Sequence, residues 1–429
     1  MSYSITETQG AGLAVDRRQN ALSLVVFMLS AIALPLRFAI SPQLLDRVMD
    51  YTGDSGPFYE KLHIGTYAIL LLVPLALFSQ PFVLRGDEIG KFKALLGYCG
   101  LLALLMFYLF LAGHFSSSGF LIDTYVVAAG AGLLLLAQPP DLRRRLGDVT
   151  LAMLILSAAI GIVEEITRHR LLPYDAVELQ FRPLGLTEHP LALGALCATA
   201  IGFTALARWP IWVRVAAIFV LFIGCAASGA RFSLLCAATE IPILLLFTPW
   251  LQLSPKHEKQ AKAFVLTLTL AGGALLVVVL FAGGLLSRFG NTLFDENFMA
   301  RISIYDVFGL VPWQNVVFGM RGDELLAIVN KQLHLPTIES APVVITMLFG
   351  LPAALYFAFT FGWFLLRMLR YAAFPAKLGA TIFLLAALSN NALSSKTPVV
   401  AIALVLILAY ARPGVPTARA RQPERPPTR

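Results

Sequence analysis

The stretch Cys225-Ala-Ala-Ser-Gly-Ala-Arg231-Phe-Ser-Leu-Leu235 decides how the whole chain is read. Long apolar runs, about 211–227 and 231–249, stand on either side of it. An arginine between two membrane-spanning stretches costs roughly 2.5–3.5 kcal/mol even on the lenient insertion scale, so it is expected to face a polar cavity and to have a partner. By charge, that partner is an anion. Arg182 and Arg301 stand in similar places, and the three together point to a membrane protein that grips something negatively charged at one face of the bilayer.

The composition agrees. The 429 residues are 58% hydrophobic and only 14% charged, with a mean hydropathy of +0.76, whereas soluble domains carry about a quarter charged residues. Barrel strands would alternate in polarity over about ten residues; here the apolar runs are continuous, so the fold class is all-α, a polytopic helical bundle. The net charge of +8 is no nucleic-acid signal, because the basic residues cluster beside apolar runs. Cys99, Cys197, Cys225 and Cys236 lie within or beside those runs without CxxC or Cys/His spacing, which supports neither a zinc site nor a disulfide framework. No metal and no cofactor is expected.

Working outward, about twelve spans emerge: 21–40, 62–84, 92–113, 120–137, 148–166, 190–207, 211–227, 231–249, 263–286, 338–366, 376–394 and 397–411. At 1.5 Å rise per residue, about twenty residues cross a hydrocarbon core of roughly 30 Å. Some twenty polar residues precede the first run and no small-residue cleavage site ends it, so it reads as a retained helix rather than a signal peptide. With the N-terminus inside, most of the 33 basic residues fall on inner segments, among them Arg143, Arg144, Arg145, Lys256, Lys259 and Lys262. The alternation holds through every loop and places both termini in the cytoplasm. The division expected is a cytoplasmic segment 1–20, a transmembrane domain 21–411 that includes a large outer loop 287–337, and a Pro- and Arg-rich tail 412–429. The tail reads as disordered and attracted to anionic lipid.

The basic residues left on the outer side are mostly clustered arginines: Arg168, Arg170 and Arg182 in one loop, Arg231 at a turn, and Arg288, Arg301 and Arg321 in the large loop. That loop is too apolar for disorder, and Phe298–Leu310 reads as an amphipathic helix lying along the interface. Three constellations stand out. Phe181-Arg-Pro-Leu-Gly-Leu-Thr-Glu-His-Pro190 places Arg182, Glu188 and His189 just ahead of a span; it reads as an anion-binding loop with an acid and a proton-transfer group close by, or as a polar loop whose arginine snorkels to head groups. Ser228-Gly-Ala-Arg231 is a small-residue turn that lets a ligand approach backbone and helix N-terminus. In the large loop, Arg301 and Tyr305 are spaced i, i+4, and His334 and Glu339 are candidate general bases. Glu240, inside a span, needs a partner or a proton.

These pieces suit transfer of a sugar from a lipid diphosphate. Arginine supplies permanent bidentate phosphate contacts, and a carboxylate or histidine near the breaking bond takes a proton from the acceptor hydroxyl. The outer segments contain no Asp-x-Asp pair for a metal-bound nucleotide sugar.

With those residues assembled, the chain resembles the O-antigen ligase and polysaccharide polymerase superfamily of bacterial inner membranes. Arg182 with Gly185 is similar to its Arg-x-x-Gly segment opening a span; Ser228-Gly-Ala-Arg231 looks like its Ser-x-x-Arg turn; Arg301 and Phe318-Gly-Met320 resemble the arginine and the glycine turn of its large loop. The resemblance spans roughly 180–365. Where ligases carry a His-Asn pair, this chain has Glu339-Ser340, which favours a polymerase, for instance of an exopolysaccharide. The resemblance implies undecaprenyl-diphosphate-linked sugars as donors, no metal, inversion at the transferred carbon and a periplasmic site. Arg182, Arg231 and Arg301 would bind the diphosphate. Glu339, His334 or His189 would serve as base, and Arg321 would hold the acceptor or close the loop, with Tyr305 beside it. The partners expected are the lipid-linked glycan, membrane lipids and other polysaccharide assembly proteins. The alternative is a lipid-linked oligosaccharide flippase or other twelve-helix polysaccharide transporter.

Overall fold

A computed structural model describes residues 5–52, 58–79, 82–84, 86–113, 118–174, 181–248, 254–282, 302–335 and 338–411. Among the described residues every regular element is helical. Helix α1 (Ile5–Ala39) is followed by one turn, α2 (Pro42–Leu45), and then by α3 (Ile64–Ser79) and α4 (Asp87–Leu111). A π-helical segment, Leu121–Val126, runs into α5 (Val127–Leu136), and α6 (Pro140–Thr167) follows. Next come α7 (Pro190–Thr204), α8 (Ile211–Ala227), α9 (Arg231–Phe247) and α10 (Pro255–Ala282). The large loop holds three short helices, α11 (Val307–Leu310), α12 (Trp313–Phe318) and α13 (Gly322–Ile328). Four more complete the chain: α14 (Ala341–Phe349), α15 (Leu351–Met368), α16 (Phe374–Leu388) and α17 (Val399–Ala409). Proline in the first turn, where its missing N–H costs nothing, opens α6, α7, α14, α15 and α16.

Every residue of α5, α7 and α17 is buried. A helix that is hydrophobic all round must be enclosed on all sides, and the others form that enclosure. Their outward faces are apolar: Phe107 and Phe110 on α4, Trp212 and Phe219 on α8, Leu355 and Phe359 on α15 are all at least half exposed. Water would not tolerate so continuous an apolar exterior; lipid does. Among the described residues, four helical stretches are long and apolar enough to cross a membrane, Ala21–Ala39, Asp87–Leu111, Pro140–Thr167 and Leu351–Met368, and six further apolar helices are shorter.

The helix ends gather at two ends of the bundle. At one, the Arg143 guanidinium meets Glu88 at 2.6 Å, Lys91 meets Asp87 at 2.9 Å, and Arg144 donates to the Leu206 carbonyl while lying over the Tyr410 ring. These are basic residues that the sequence puts on the inner side. At the other end lie residues 37–52 and 58–66, the π-helical segment, residues 181–189 before α7, the α8–α9 turn and the α16–α17 connection.

Four expectations need correction. The tenth run, 338–366, is not one helix but two, α14 and α15, broken at Gly350 (φ +80°) because the large loop crosses there: a Cβ on Gly350 would sit 2.3 Å from the Val317 carbonyl oxygen. The eleventh, 376–394, stops at Leu388, after which Asn390 accepts from the Ala392 N–H and the Ser394, Ser395 and Thr397 hydroxyls donate to nearby carbonyls in place of helix bonds. The amphipathic helix read over 298–310 has its first residues outside the described ones; over Ile304–Leu310 it is a 3₁₀ turn followed by the short α11. The last run forms only the eleven-residue α17, about half of what a helix needs to cross the core. The tail 412–429 lies outside the described residues.

Candidate functional site

Glu164, near the end of α6 and 2% exposed, organises the segment before α7. One of its carboxylate oxygens accepts from Leu171 N–H at 2.7 Å; the other accepts from Leu184 and Gly185 N–H, both at 2.8 Å. Gly185 adopts φ +57°, and a Cβ there would lie 2.3 Å from the Ser157 carbonyl oxygen, so only glycine fits this pinned turn. Ser157 Oγ holds the next residue by accepting from Leu186 N–H at 3.0 Å. Arg182-Pro-Leu-Gly185 is therefore a fixed platform, and Arg182 projects from it.

Arg182 Nε donates to the Ser228 carbonyl at 3.1 Å. That bond ties Arg182 to the α8–α9 turn, three residues before Arg231, the half-buried first residue of α9. The turn is tight: Ser228 Oγ donates to the Cys225 carbonyl at 2.7 Å and accepts from Ala230 N–H at 3.3 Å. It lies directly against α7, since a Cβ on Gly194 would meet Ala230 Cβ at 2.5 Å. The platform, the turn and the first two turns of α7 thus share one locality that holds Arg182 and the start of α9. The two other arginines of this loop are engaged locally: Arg168 pairs with Glu165 at 2.7 Å, and Arg170 donates to the Arg182 carbonyl at 3.0 Å while stacking on Tyr174 and Phe181.

A cavity of about 280 Å³ opens on another side of the same helix start. Glu188, His189, Leu191 and Ala192 form one wall, Pro42, Gln43 and Thr52 a second, and Asn390, Asn391, Ser395 and Lys396 a third. His189 caps α7, its Nδ1 accepting from Leu191 N–H at 3.1 Å. Gln43 Nε2 donates to the Glu188 backbone carbonyl at 3.2 Å, while Gln43 Oε1 is buried with no hydrogen-bond partner among the described residues. Burial holds the Glu188 carboxyl above the usual carboxylate range, with the Arg37 guanidinium pulling the other way. Burial also lowers the Lys396 ammonium, opposed by Asp123; Lys396 Nζ donates to the Tyr51 carbonyl at 2.8 Å and lies over the Tyr51 ring.

Behind this wall is a buried polar cluster. The Asp123 carboxylate, fully buried, accepts from Tyr51 OH at 2.7 Å, Thr66 Oγ1 at 2.6 Å and His63 N–H at 3.2 Å. Arg37, 1% exposed, donates to the Asp123 carbonyl at 2.8 Å. Burial, and then the neighbouring Asp123 charge, raise the Tyr51 hydroxyl well above its ordinary value, so it remains a donor. Thr124 and Tyr125 hydroxyls donate to the Ser395 and Leu393 carbonyls, which fixes the 389–398 connection over the cavity.

The fold brings Arg182, the start of α9 at Arg231, and His189 together around the start of α7. Glu339 is half-buried just ahead of α14, whose Ala341 N–H donates to the Asn390 carbonyl at 3.1 Å, but it does not line the cavity. His334 is exposed in a left-handed conformation (φ +56°) at the end of the loop helices, Tyr305 is half-exposed, and Arg321 forms a solvent-facing pair with Asp323 at 2.8 Å. None of these three lines the cavity. Arg301 lies outside the described residues. Glu240 is fully buried, and among the described residues neither carboxyl oxygen has a partner, so an ion pair is not its role there. Sequence reasoning missed Gln43, Asp123, Glu164 and Lys396. Its usable signals were isolated charges inside apolar runs, Arg37 and Asp123, and the polar string Ser389-Asn-Asn-Ala-Leu-Ser-Ser-Lys-Thr-Pro398 between two of them. Comparison with protein-family models, with curated proteins and with solved structures found no match to this chain.

Proposed function

We propose that this chain is a bacterial inner-membrane glycosyltransferase that joins polyprenyl-diphosphate-linked polysaccharide repeat units at the periplasmic face. On this reading both termini lie inside, and the platform, the α8–α9 turn and the large loop face the periplasm. The observation that carries it is the Arg182 to Ser228 hydrogen bond, which joins two cation-bearing segments at the start of α9. Guanidinium groups there would hold the departing diphosphate through charge-assisted, bidentate contacts, with Arg301 as a third. Glu339 is one candidate for the base. His189 is a poor one, because the lone pair on Nδ1 already caps α7 and the neutral ring then carries its proton on Nε2. The test is chain growth in vitro: purified full-length protein in lipid nanodiscs, given lipid-linked repeat units extracted from the host's own membranes, should convert them to longer chains unaided. Failure to do so removes the proposal.

Glu240, buried with no hydrogen-bond partner among the described residues, and the helix break at Gly350 favour a second reading, a lipid-linked oligosaccharide flippase, since transporters carry intramembrane carboxyls and discontinuous helices. Cells lacking a flippase accumulate lipid-linked units facing the cytoplasm; cells lacking a polymerase accumulate single units facing the periplasm.

A further inference from the structure

We infer that the cavity beside the start of α7 seats the acceptor sugar and that Glu188 takes the proton from its attacking hydroxyl. This rests on the glycosyl-transfer reading above and assigns to it a base and an acceptor site.

The walls select the ligand's chemistry. Gln43, Thr52, Asn390, Asn391, Ser395 and Thr397 offer neutral donors and acceptors, and among the described residues no arginine lines the space. A diphosphate would find one ammonium, already bonded to the Tyr51 carbonyl, and would face the Glu188 carboxylate. A ligand rich in hydroxyls fits far better, because each hydroxyl both donates and accepts. Gln43 Oε1 adds a specific demand. Its amide is oriented by the bond from Nε2 to the Glu188 carbonyl, which leaves the oxygen buried and lacking a donor. Leaving such an acceptor unmet is costly, and a small turn of the Gln43 amide, whose residue lines the cavity, would bring the oxygen to a sugar hydroxyl. The volume, slightly below the roughly 300 Å³ at which small-molecule pockets begin, suits a single sugar ring rather than an oligosaccharide.

The same walls select the base. Among the described residues, Glu188 and His189 are the titratable acids and bases lining the cavity besides Lys396, and His189 is committed to the α7 cap. Burial lifts the Glu188 carboxyl toward the pH at which a base is most effective. In the step proposed, the acceptor hydroxyl oxygen bonds to the anomeric carbon of the donor sugar. The bond from that carbon to the diphosphate oxygen breaks, its electron pair leaves with the polyprenyl diphosphate toward the arginines, and the hydroxyl proton passes to a Glu188 carboxylate oxygen. The donor side and the acceptor side would then flank one helix start, with Arg182 and the Ser228 turn on one side and Glu188 on the other.

The experiment measures chain growth by full-length protein in nanodiscs, with lipid-linked repeat units from the host's membranes as probe. Glu188→Gln, which keeps shape, should slow turnover by about 100-fold or more while binding of undecaprenyl diphosphate is unchanged. Gln43→Leu should chiefly raise the KM for repeat units. Glu188→Asp should retain partial turnover with a displaced acidic limb of the rate–pH profile, and it provides the readout if the glutamine variant does not fold. Glu188→Gln turnover within about threefold of wild type, or an unmoved acidic limb in Glu188→Asp, overturns the inference and leaves glycosyl transfer standing. A wild-type protein that extends no chains overturns both.

Discussion

Gly319 and Gly350 lie back to back where the large loop crosses the break between α14 and α15. Both have positive φ, +90° and +80°; a Cβ on Gly350 would lie 2.9 Å from Gly319 N, and one on Gly319 would lie 3.0 Å from Gly350 N. The crossing is sealed by Met320 N–H donating to the Met347 carbonyl at 2.8 Å. It joins the second apolar cluster, built from Val307, Val316, Leu325, Val343 and Met347, to the bundle.

Alanine at either glycine should therefore loosen the loop. The left-handed backbone alone costs a non-glycine residue roughly 1–2 kcal/mol, and at Gly350 the clash with the Val317 carbonyl adds to it because backbone cannot retreat cheaply. Gly350→Ala should lower the thermal midpoint and expose residues 302–335 to protease at lower temperature than in wild type. Gly309→Ala, which meets nothing within 4 Å, is the control and should be neutral. Equal protection in Gly350→Ala and Gly309→Ala would contradict the crossing.

Asp123→Ala should be among the most damaging single changes in the chain. It strips the acceptor from Tyr51 OH, Thr66 Oγ1 and His63 N–H at once, all in a buried cluster. At about 1–3 kcal/mol for each stranded donor, the loss is several kcal/mol, and the buried Arg37 cation would also lose a nearby negative charge. Asp123→Asn keeps one acceptor and should fall between alanine and wild type. Folded yield after detergent extraction, followed by thermal unfolding, gives the ranking; asparagine as bad as alanine would mean the charge, not the hydrogen bonds, dominates.

Glu188 gives stability a definite pH slope. Its folded carboxyl is raised by burial, so the folded state holds the proton more tightly than the unfolded chain. Stability contributed by this group is present at low pH and declines as pH rises from the ordinary carboxylate range through the raised value. Glu188→Gln should flatten that decline and leave the variant more stable than wild type above it. Thermal midpoints of the two proteins from pH 4 to pH 8 provide the comparison; parallel curves would show that Glu188 titrates as it does in the unfolded chain.

The helical class is written in the apolar runs, and Arg182 and Arg231 stand out because a lone charge beside such a run requires a reason. Boundaries are less readable. Gly350-Leu-Pro352 holds a stop and a restart in adjacent positions, but a hydropathy window averages across them and returns one long span. Glu164 reads as an ordinary charge near the end of a run; its value lies in three backbone N–H groups that reach it only after the loop folds back. The cavity is harder still, because its walls come from segments near residues 43, 188 and 390. No local pattern joins Gln43 to Glu188 across a separation of 145 positions.

The arginines of one loop allow a comparison that separates charge from position. Arg168 and Arg182 belong to the same connection between α6 and α7, but Arg168 is mostly exposed and paired with Glu165, whereas Arg182 is half-buried on the Glu164-pinned platform and reaches the turn before Arg231. Only the guanidinium of that pair is exposed, its partner Glu165 being buried, so Arg168→Ala costs some stability but, on the proposed function, should leave surface polymer near normal in proportion to protein level. If the chain joins repeat units as proposed, Arg182→Ala and Arg231→Ala should abolish polymer at near-normal protein level. Arg182→Lys should not restore it: an ammonium keeps the charge but loses the planar fork that, on the proposed function, would take two phosphate oxygens while Nε holds the Ser228 carbonyl. Chain-length analysis of surface polysaccharide from cells carrying each variant reads the outcome. If Arg182→Lys supports full-length polymer, position-independent charge is enough and the fixed platform has no part in binding; if Arg168→Ala is as damaging as Arg182→Ala, the anion sits across the whole loop and not at the start of α9.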